Sequence, residues 1–186
     1  MVFNVKIINI SGKAESGKDS VYEHIKKKYG DMVCHMLFAK HIKQYAKDYF
    51  DWDGKEETKP RQLLQSIGTD IIRDQMNDPN FHTRRLIEDI KVLSNYFDIF
   101  VITDCRFPNE VHLVKKEFNE DVFSIRIDRP NHVSKLNEKQ LKHKSETALD
   151  NFLEFDYKIQ NNSSIEDFYD KIDIIMEDIL KGGING

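Results

Sequence analysis

An apolar run, Val5 to Ile10, leads into Gly12-Lys13-Ala14-Glu15-Ser16-Gly17-Lys18-Asp19-Ser20-Val21, and helical periodicity starts directly afterwards. The order of strand, glycine-rich turn and helix with G-x-x-x-x-G-K spacing restricts the chain to folds that build a phosphate-binding loop. A turn nearly free of side chains lets successive backbone N–H groups close around phosphate oxygens. Lys18 reaches the terminal phosphates, and the helix N-terminus adds positive potential. Gly12, Lys13, Ala14, Glu15, Ser16, Gly17, Lys18, Asp19 and Ser20 are therefore candidate contacts to a nucleoside triphosphate. The usual pattern continues with a Ser or Thr whose hydroxyl holds magnesium. Here Asp19 takes that place, a carboxylate suited to metal through water, with Ser20 beside it as a hydroxyl donor. An ordinary glycine turn opening a helix is the plain alternative, and the strand before the turn and the Gly-Lys pair weigh against it.

Composition sets bounds on what such a loop serves. The chain has 186 residues, 39% of them hydrophobic, enough for one domain around a buried sheet. A net charge of -4 and pI near 6.0 speak against a binder of nucleic-acid polymer, so a basic site has to be local and aimed at a small anion. Cys34 and Cys105 both fall in apolar runs and are expected as reduced core thiols, too few to build a zinc site. No signal peptide or long apolar span is present in the sequence, so the expectation is a cytoplasmic protein without a membrane partner.

Apolar runs at 5–10, 33–38, 99–103, 122–127 and 156–160 alternate with helical periodicity at about 18–29, 40–50, 60–76, 82–96, 108–118 and 164–181. That alternation predicts a three-layer α/β fold, a mostly parallel five-stranded sheet with helices on both faces. The polar segment 51–57 and the glycine-rich tail 182–186 are expected at the surface.

Ile99 to Thr103 is an apolar strand that ends in Asp104, with Arg106 two residues on. Ligands of open α/β sheets bind at the carboxyl ends of strands, so Asp104 is a candidate for magnesium or substrate and Arg106 for a transferring phosphoryl group. All seven arginines lie between residues 61 and 129 of a lysine-dominated chain. The planar guanidinium suits bidentate phosphate contact, so Arg61 and Arg73, with Lys40 or Lys43, are candidates to seat a second, acceptor phosphate. For any one of them a surface ion pair is the alternative. Gln65, between Arg61 and Arg73, has the chemistry to read a base edge, and a solvent-facing role is as good. Residues 129–147 form a basic stretch placed where a lid would close and exclude water, with Arg129 arriving from it. Asn161-Asn162-Ser163-Ser164 is first a turn and helix cap; contact of Asn162 with an adenine ring is the secondary use.

Four blocks together carry a family resemblance. They are Gly12 to Val21, Leu63-Leu64-Gln65-Ser66-Ile67-Gly68-Thr69-Asp70 with Arg73, Thr103-Asp104-Cys105-Arg106-Phe107-Pro108-Asn109-Glu110-Val111, and His143-Lys144-Ser145-Glu146-Thr147. The chain resembles the phage-type deoxynucleoside monophosphate kinases over most of its length. The resemblance implies a P-loop kinase fold, with an acceptor-binding region at about 40–96 and a lid-like segment at 129–147. It implies ATP with magnesium as donor and a deoxynucleoside monophosphate raised to the diphosphate. On that basis Lys18, Asp104, Arg106 and Arg129 are the expected catalytic set, Asp19, Ser20 and Asp104 surround magnesium, and Glu146 joins the substrate-binding residues. An Asp after the loop lysine is shared with animal-type phosphomevalonate kinases, so a kinase of another phosphorylated small molecule stays open. So does a nucleotide-binding switch, although a switch needs no second phosphate site. A homodimer is among the assemblies such a kinase is expected to form.

Overall fold

The computed structural model describes residues 5–182, so the expectation for the tail lies outside the described residues from position 183 on. Five strands, β1 (Lys6–Gly12), β2 (Val33–Met36), β3 (Ile99–Cys105), β4 (Val122–Asp128) and β5 (Tyr157–Gln160), form one sheet in the order β2-β3-β1-β4-β5. Every pairing is parallel, one step beyond the mostly parallel sheet expected. A parallel sheet must be covered on both faces, and successive side chains of a strand point to opposite faces. Ile7 of β1 accordingly packs with Leu86, Ile90, Val111 and Val114 on one face. Its neighbours Ile8 and Ile10 pack with Val21, Ile25, Phe168, Ile172 and Met176 on the other. The first layer is built by α4 (Phe81–Leu93) and α5 (Pro108–Phe118), the second by α1 (Lys18–Tyr29) and α8 (Ile165–Leu180), with the short α6 (Glu138–Leu141) and α7 (Lys144–Thr147) between β4 and β5. No helix among the described residues is long and apolar enough to cross a membrane.

Outside these layers, α2 (Lys40–Tyr49) and α3 (Arg61–Gln65) enclose a smaller core of Ile42, Ala46, Leu64 and Ile72. Beyond α3 the helix does not stay α: Ser66–Gln75 is π-helical, and Met76 N donates to Ile71 O at 2.8 Å across five residues. An α-helix overshoots one turn every four residues, whereas i→i+5 bonding makes a turn wider than four. The two drifts oppose each other. Arg61, Gln65, Thr69 and Arg73 therefore stay on one stripe and line one cleft.

Two expected boundaries move for local reasons. The strand expected to Phe38 stops at Met36, because Phe38 N and Ala39 N turn away to donate to the Asp104 carboxylate at 2.8 and 3.0 Å. The helix expected to residue 96 ends at Leu93, where Ser94 and Phe97 amides fold back on Ile90 and Leu93 carbonyls. Cys105 is buried as expected, while Cys34 is only half-buried on the edge strand β2.

Candidate active site

The carboxyl ends of β1, β3 and β4 meet where the strand order turns at β1, the position at which open α/β sheets bind ligands. There β1 runs into the loop 12–17 and out into α1. Gly12 is required by closeness: a Cβ on it would stand 2.4 Å from Ser16 Oγ and 2.7 Å from Ile127 O. Gly17 has φ 107, which only glycine adopts freely. Glu15 holds φ 63 without being glycine, a conformation that needs support from its surroundings. The support comes from the segment expected as a lid. His132 Nε2 lies 3.0 Å from the Glu15 carboxylate, Lys135 N donates to it at 3.2 Å, and Arg129 Nη1 donates to the Glu15 carbonyl at 3.0 Å. The His132 bond first, and then that from Lys135 N, hold the Glu15 carboxyl below its ordinary pKa.

Lys18 is buried, and its ammonium donates to Gly12 O at 2.9 Å and Lys13 O at 2.7 Å. Burial, and secondarily the positive charge of Arg106, push its pKa down to about 7. Ser16 Oγ is buried with no hydrogen-bond partner. A glycine-rich turn at a helix N-terminus, with an orphaned hydroxyl and a lysine that donates to backbone carbonyls, has the donor set of an anion site. The cavity over it is lined by Glu15 to Ser20 together with Arg129 and Asn161.

Beside the loop a second cleft opens, walled by α2, the α3–π stretch and the end of β3. Lys43, Lys59, Arg61, Gln65, Thr69, Arg73, His82, Asp104, Arg106, Phe107 and Glu146 line it. Its floor is a buried pair: Arg73 Nη2 donates to Glu110 Oε1, with side chains 6% and 3% exposed. The Arg73 guanidinium stacks 3.9 Å from the centre of the Phe107 ring, and its Nη1 donates to Pro79 O. Glu110 Oε2 also accepts from Arg106 N at 2.6 Å and Phe107 N at 3.0 Å, as the third residue of a Pro-started helix does in a capping box. Burial pushes the Glu110 carboxyl up to about 7, against the downward pull of Arg73 and the two amides. Arg106 joins the two cavities, with Nη1 3.4 Å from Gly12 O and 2.8 Å from Glu146 Oε1.

Most of the sequence candidates are thus brought together, but not all. Lys40 is a correction: it opens α2 and pairs with Asp89 of α4 at 2.8 Å, away from the cleft lining that takes in Lys43. Asn162 is another, since it is exposed and donates to Gln160 Oε1 at 3.3 Å. Its neighbour Asn161 faces the loop instead and donates to Ser16 O at 2.9 Å. Arg73 was expected to seat phosphate, and its terminal nitrogens are already engaged by Glu110 and Pro79. Arg61 makes an ion pair with Glu56 at the cleft edge. Glu110 carried the one signal that sequence reasoning passed over, a Glu three residues into a Pro-started helix. Lys59, Thr69, His82, Phe107 and Leu136 carried none.

Among the described residues no three His, Cys, Asp or Glu side chains cluster as a metal site. Magnesium bound with a nucleotide takes most of its oxygens from phosphate and water and needs only one or two carboxylates. Asp19, exposed in the cavity over the loop, and Asp104, in the cleft beside it, both act on the charge of Lys18. This oxygen donor set, with Ser20, fits that ion.

The family model for deoxynucleotide monophosphate kinases matches residues 47–172, about two-thirds of the chain. The chain belongs to that family. A relative in Acanthamoeba polyphaga mimivirus, described as "Putative deoxynucleotide monophosphate kinase", is 27% identical over 190 residues, covering 89% of this chain and 93% of the relative. Among solved structures, dephospho-CoA kinase from Campylobacter jejuni superposes with a TM-score of 0.52 at 19% identity, covering 95% of this chain and 98% of its own. The Mycobacterium tuberculosis APS kinase CysC in complex with AMPPNP and APS gives 0.52 at 12% identity, covering 93% and 98%. Those two likenesses speak for the fold alone, which is the P-loop kinase fold. A member of the deoxynucleotide monophosphate kinase family is a phosphotransferase, and in this one two cavities adjoin at Arg106.

Proposed function

We propose that this kinase transfers the γ-phosphoryl group of ATP to a deoxynucleoside monophosphate, giving the deoxynucleoside diphosphate and ADP. The observation that carries the proposal is Arg106, whose guanidinium touches the loop at Gly12 O and the cleft at Glu146. A cation shared by two anion-binding cavities is what transfer from one phosphate to another requires, since the chemistry is mostly positioning and charge stabilisation.

In this reading the amides of residues 12–18 and Lys18 hold the donor phosphates, and Arg129 approaches them from the lid-like segment. Lys43, Lys59 and Arg61 supply positive charge for the monophosphate, while Gln65, Thr69 and Glu146 form the remaining polar wall. Arg73 keeps the floor rigid through Glu110, which fixes the amide of Arg106. When bound with ATP, magnesium supplies neutralisation of charge across the phosphates, and Asp19, Ser20 and Asp104 are the residues that would hold it. The mimiviral relative's description names the same substrate class.

The test is release of ADP from ATP and magnesium with each deoxynucleoside monophosphate, the matching ribonucleotides, phosphomevalonate and no acceptor. Stimulation by deoxynucleoside monophosphates is expected. Release with phosphomevalonate alone, or independent of any acceptor, overturns the proposal.

A further inference from the structure

The Glu146 carboxylate lies against the groups that a phosphoryl group would be given. Its Oε1 is 2.8 Å from Arg106 Nη1, and its Oε2 accepts from Ala14 N of the phosphate-binding loop at 3.3 Å. The side chain is 8% exposed, and its negative charge favours the ammonium form of Lys18. A loop amide, a guanidinium and a lysine ammonium are the donor set of a phosphate site. A carboxylate offers two of the oxygens and one negative charge of such a group, but has nothing to transfer.

We propose that Glu146 is a phosphate place-holder: its carboxylate fills the anion position between the loop and Arg106 in the empty enzyme and is displaced by the terminal phosphate of the donor. Like charges a few ångströms apart in a site of low polarity repel strongly, so carboxylate and phosphate do not share these donors. Displacement hands Arg106 to the incoming phosphoryl group. It also loosens α7 (Lys144–Thr147), which Lys13 ties to the loop by donating to Glu146 O. The same helix is tied to the π-helical wall by Lys144 on Asp74 at 2.6 Å. Donor binding is thereby linked to the wall of the acceptor cleft. The opposite arrangement, in which Glu146 stays and steadies Arg106 for phosphate, predicts an effect of opposite sign. The inference rests on the loop taking phosphate and is independent of which acceptor is used.

The experiment is calorimetric titration of inorganic pyrophosphate and of ATP, without acceptor, into wild type, Glu146→Gln, Glu146→Asp and Lys18→Met, with thermal melting of each. Glu146→Gln keeps the shape and removes the charge. Its pyrophosphate Kd is expected to fall about tenfold, its ligand-free Tm to fall, and its gain in Tm on pyrophosphate to exceed that of wild type. Glu146→Asp, with a shorter reach, is expected between the two. Wild-type or weaker pyrophosphate affinity in Glu146→Gln overturns the place-holder. Where that variant is too unstable to titrate, the same outcome in Glu146→Asp counts equally. Pyrophosphate binding undiminished in Lys18→Met would instead sink the loop assignment itself, a separate failure.

Discussion

The loop at residues 12–18 and the cleft beside it are built by different means. The loop is one contiguous segment in which backbone amides, two glycines and one lysine supply the donors, and its shape is set by close approach and positive φ. The cleft draws Lys43, Arg61, Gln65, Arg106 and Glu146 from separate elements, and its shape depends on the buried Arg73–Glu110 pair beneath. The first is shaped mainly by local geometry, with the 129–135 segment bracing Glu15, and the second by tertiary packing. Damage at the loop should therefore cost chemistry without cost in stability, and damage at the floor of the cleft should cost both.

The largest effect is expected from Lys18→Ala, a loss of about 10³-fold in turnover, or ~4 kcal/mol of transition-state stabilisation. Steady-state kinetics with saturating acceptor measure it, and wild-type turnover would break the donor half of the comparison. Arg73→Ala comes next. It strands the Glu110 carboxylate in the interior and is expected to cost about 3 kcal/mol or more in guanidinium-induced unfolding. A stable Arg73→Ala protein with only a raised KM would make Arg73 a substrate contact instead of a floor.

The third effect is proton-linked. Burial holds the Lys18 pKa at about 7, and a bound triphosphate returns it toward the ordinary lysine value of about 10.4. Between those two values binding takes up a proton, so ATP affinity is strongest below pH 7 and weakens as pH rises, by at most about tenfold per unit. Calorimetry at pH 8 in buffers of different ionisation enthalpy should give uptake of roughly 0.9 proton, absent in Lys18→Met. Observed heats that do not change from buffer to buffer in wild type would mean that the phosphates leave Lys18 unchanged. The smallest effect is expected from Arg61→Ala at the cleft edge: a severalfold rise in acceptor KM with stability within about 0.5 kcal/mol of wild type. A large loss of stability there would erase the distinction between edge and floor.

The sheet was legible because parallel strands buried on both faces leave continuous apolar runs, and all five runs became strands within a few residues of expectation. The loop was legible because its ligands are adjacent in sequence. The cleft was legible only by residue type: grouping the arginines found Arg61, Arg73 and Arg106 but could not tell a phosphate contact from a buried strut. That difference lies in Glu110, 37 positions from Arg73 and joined to it only by the fold. Lys40 and Asn162 missed for a related reason. Each sits next to a residue that does face a cavity or one turn from it, and composition cannot say which neighbour the backbone turns inward.

The π-helical stretch from Ser66 to Gln75 amounts to a residue held in reserve by the helix. Removing one residue from it would let ordinary α geometry resume, shortening the wall and rotating everything beyond the deletion by about 100°. Thr69 and Arg73 would then leave the stripe they share with Arg61 and Gln65, and Arg73 would swing off Glu110. The register of this one helix sets the width of the cleft beside the loop, and a length change of a single residue is the smallest alteration able to reset it.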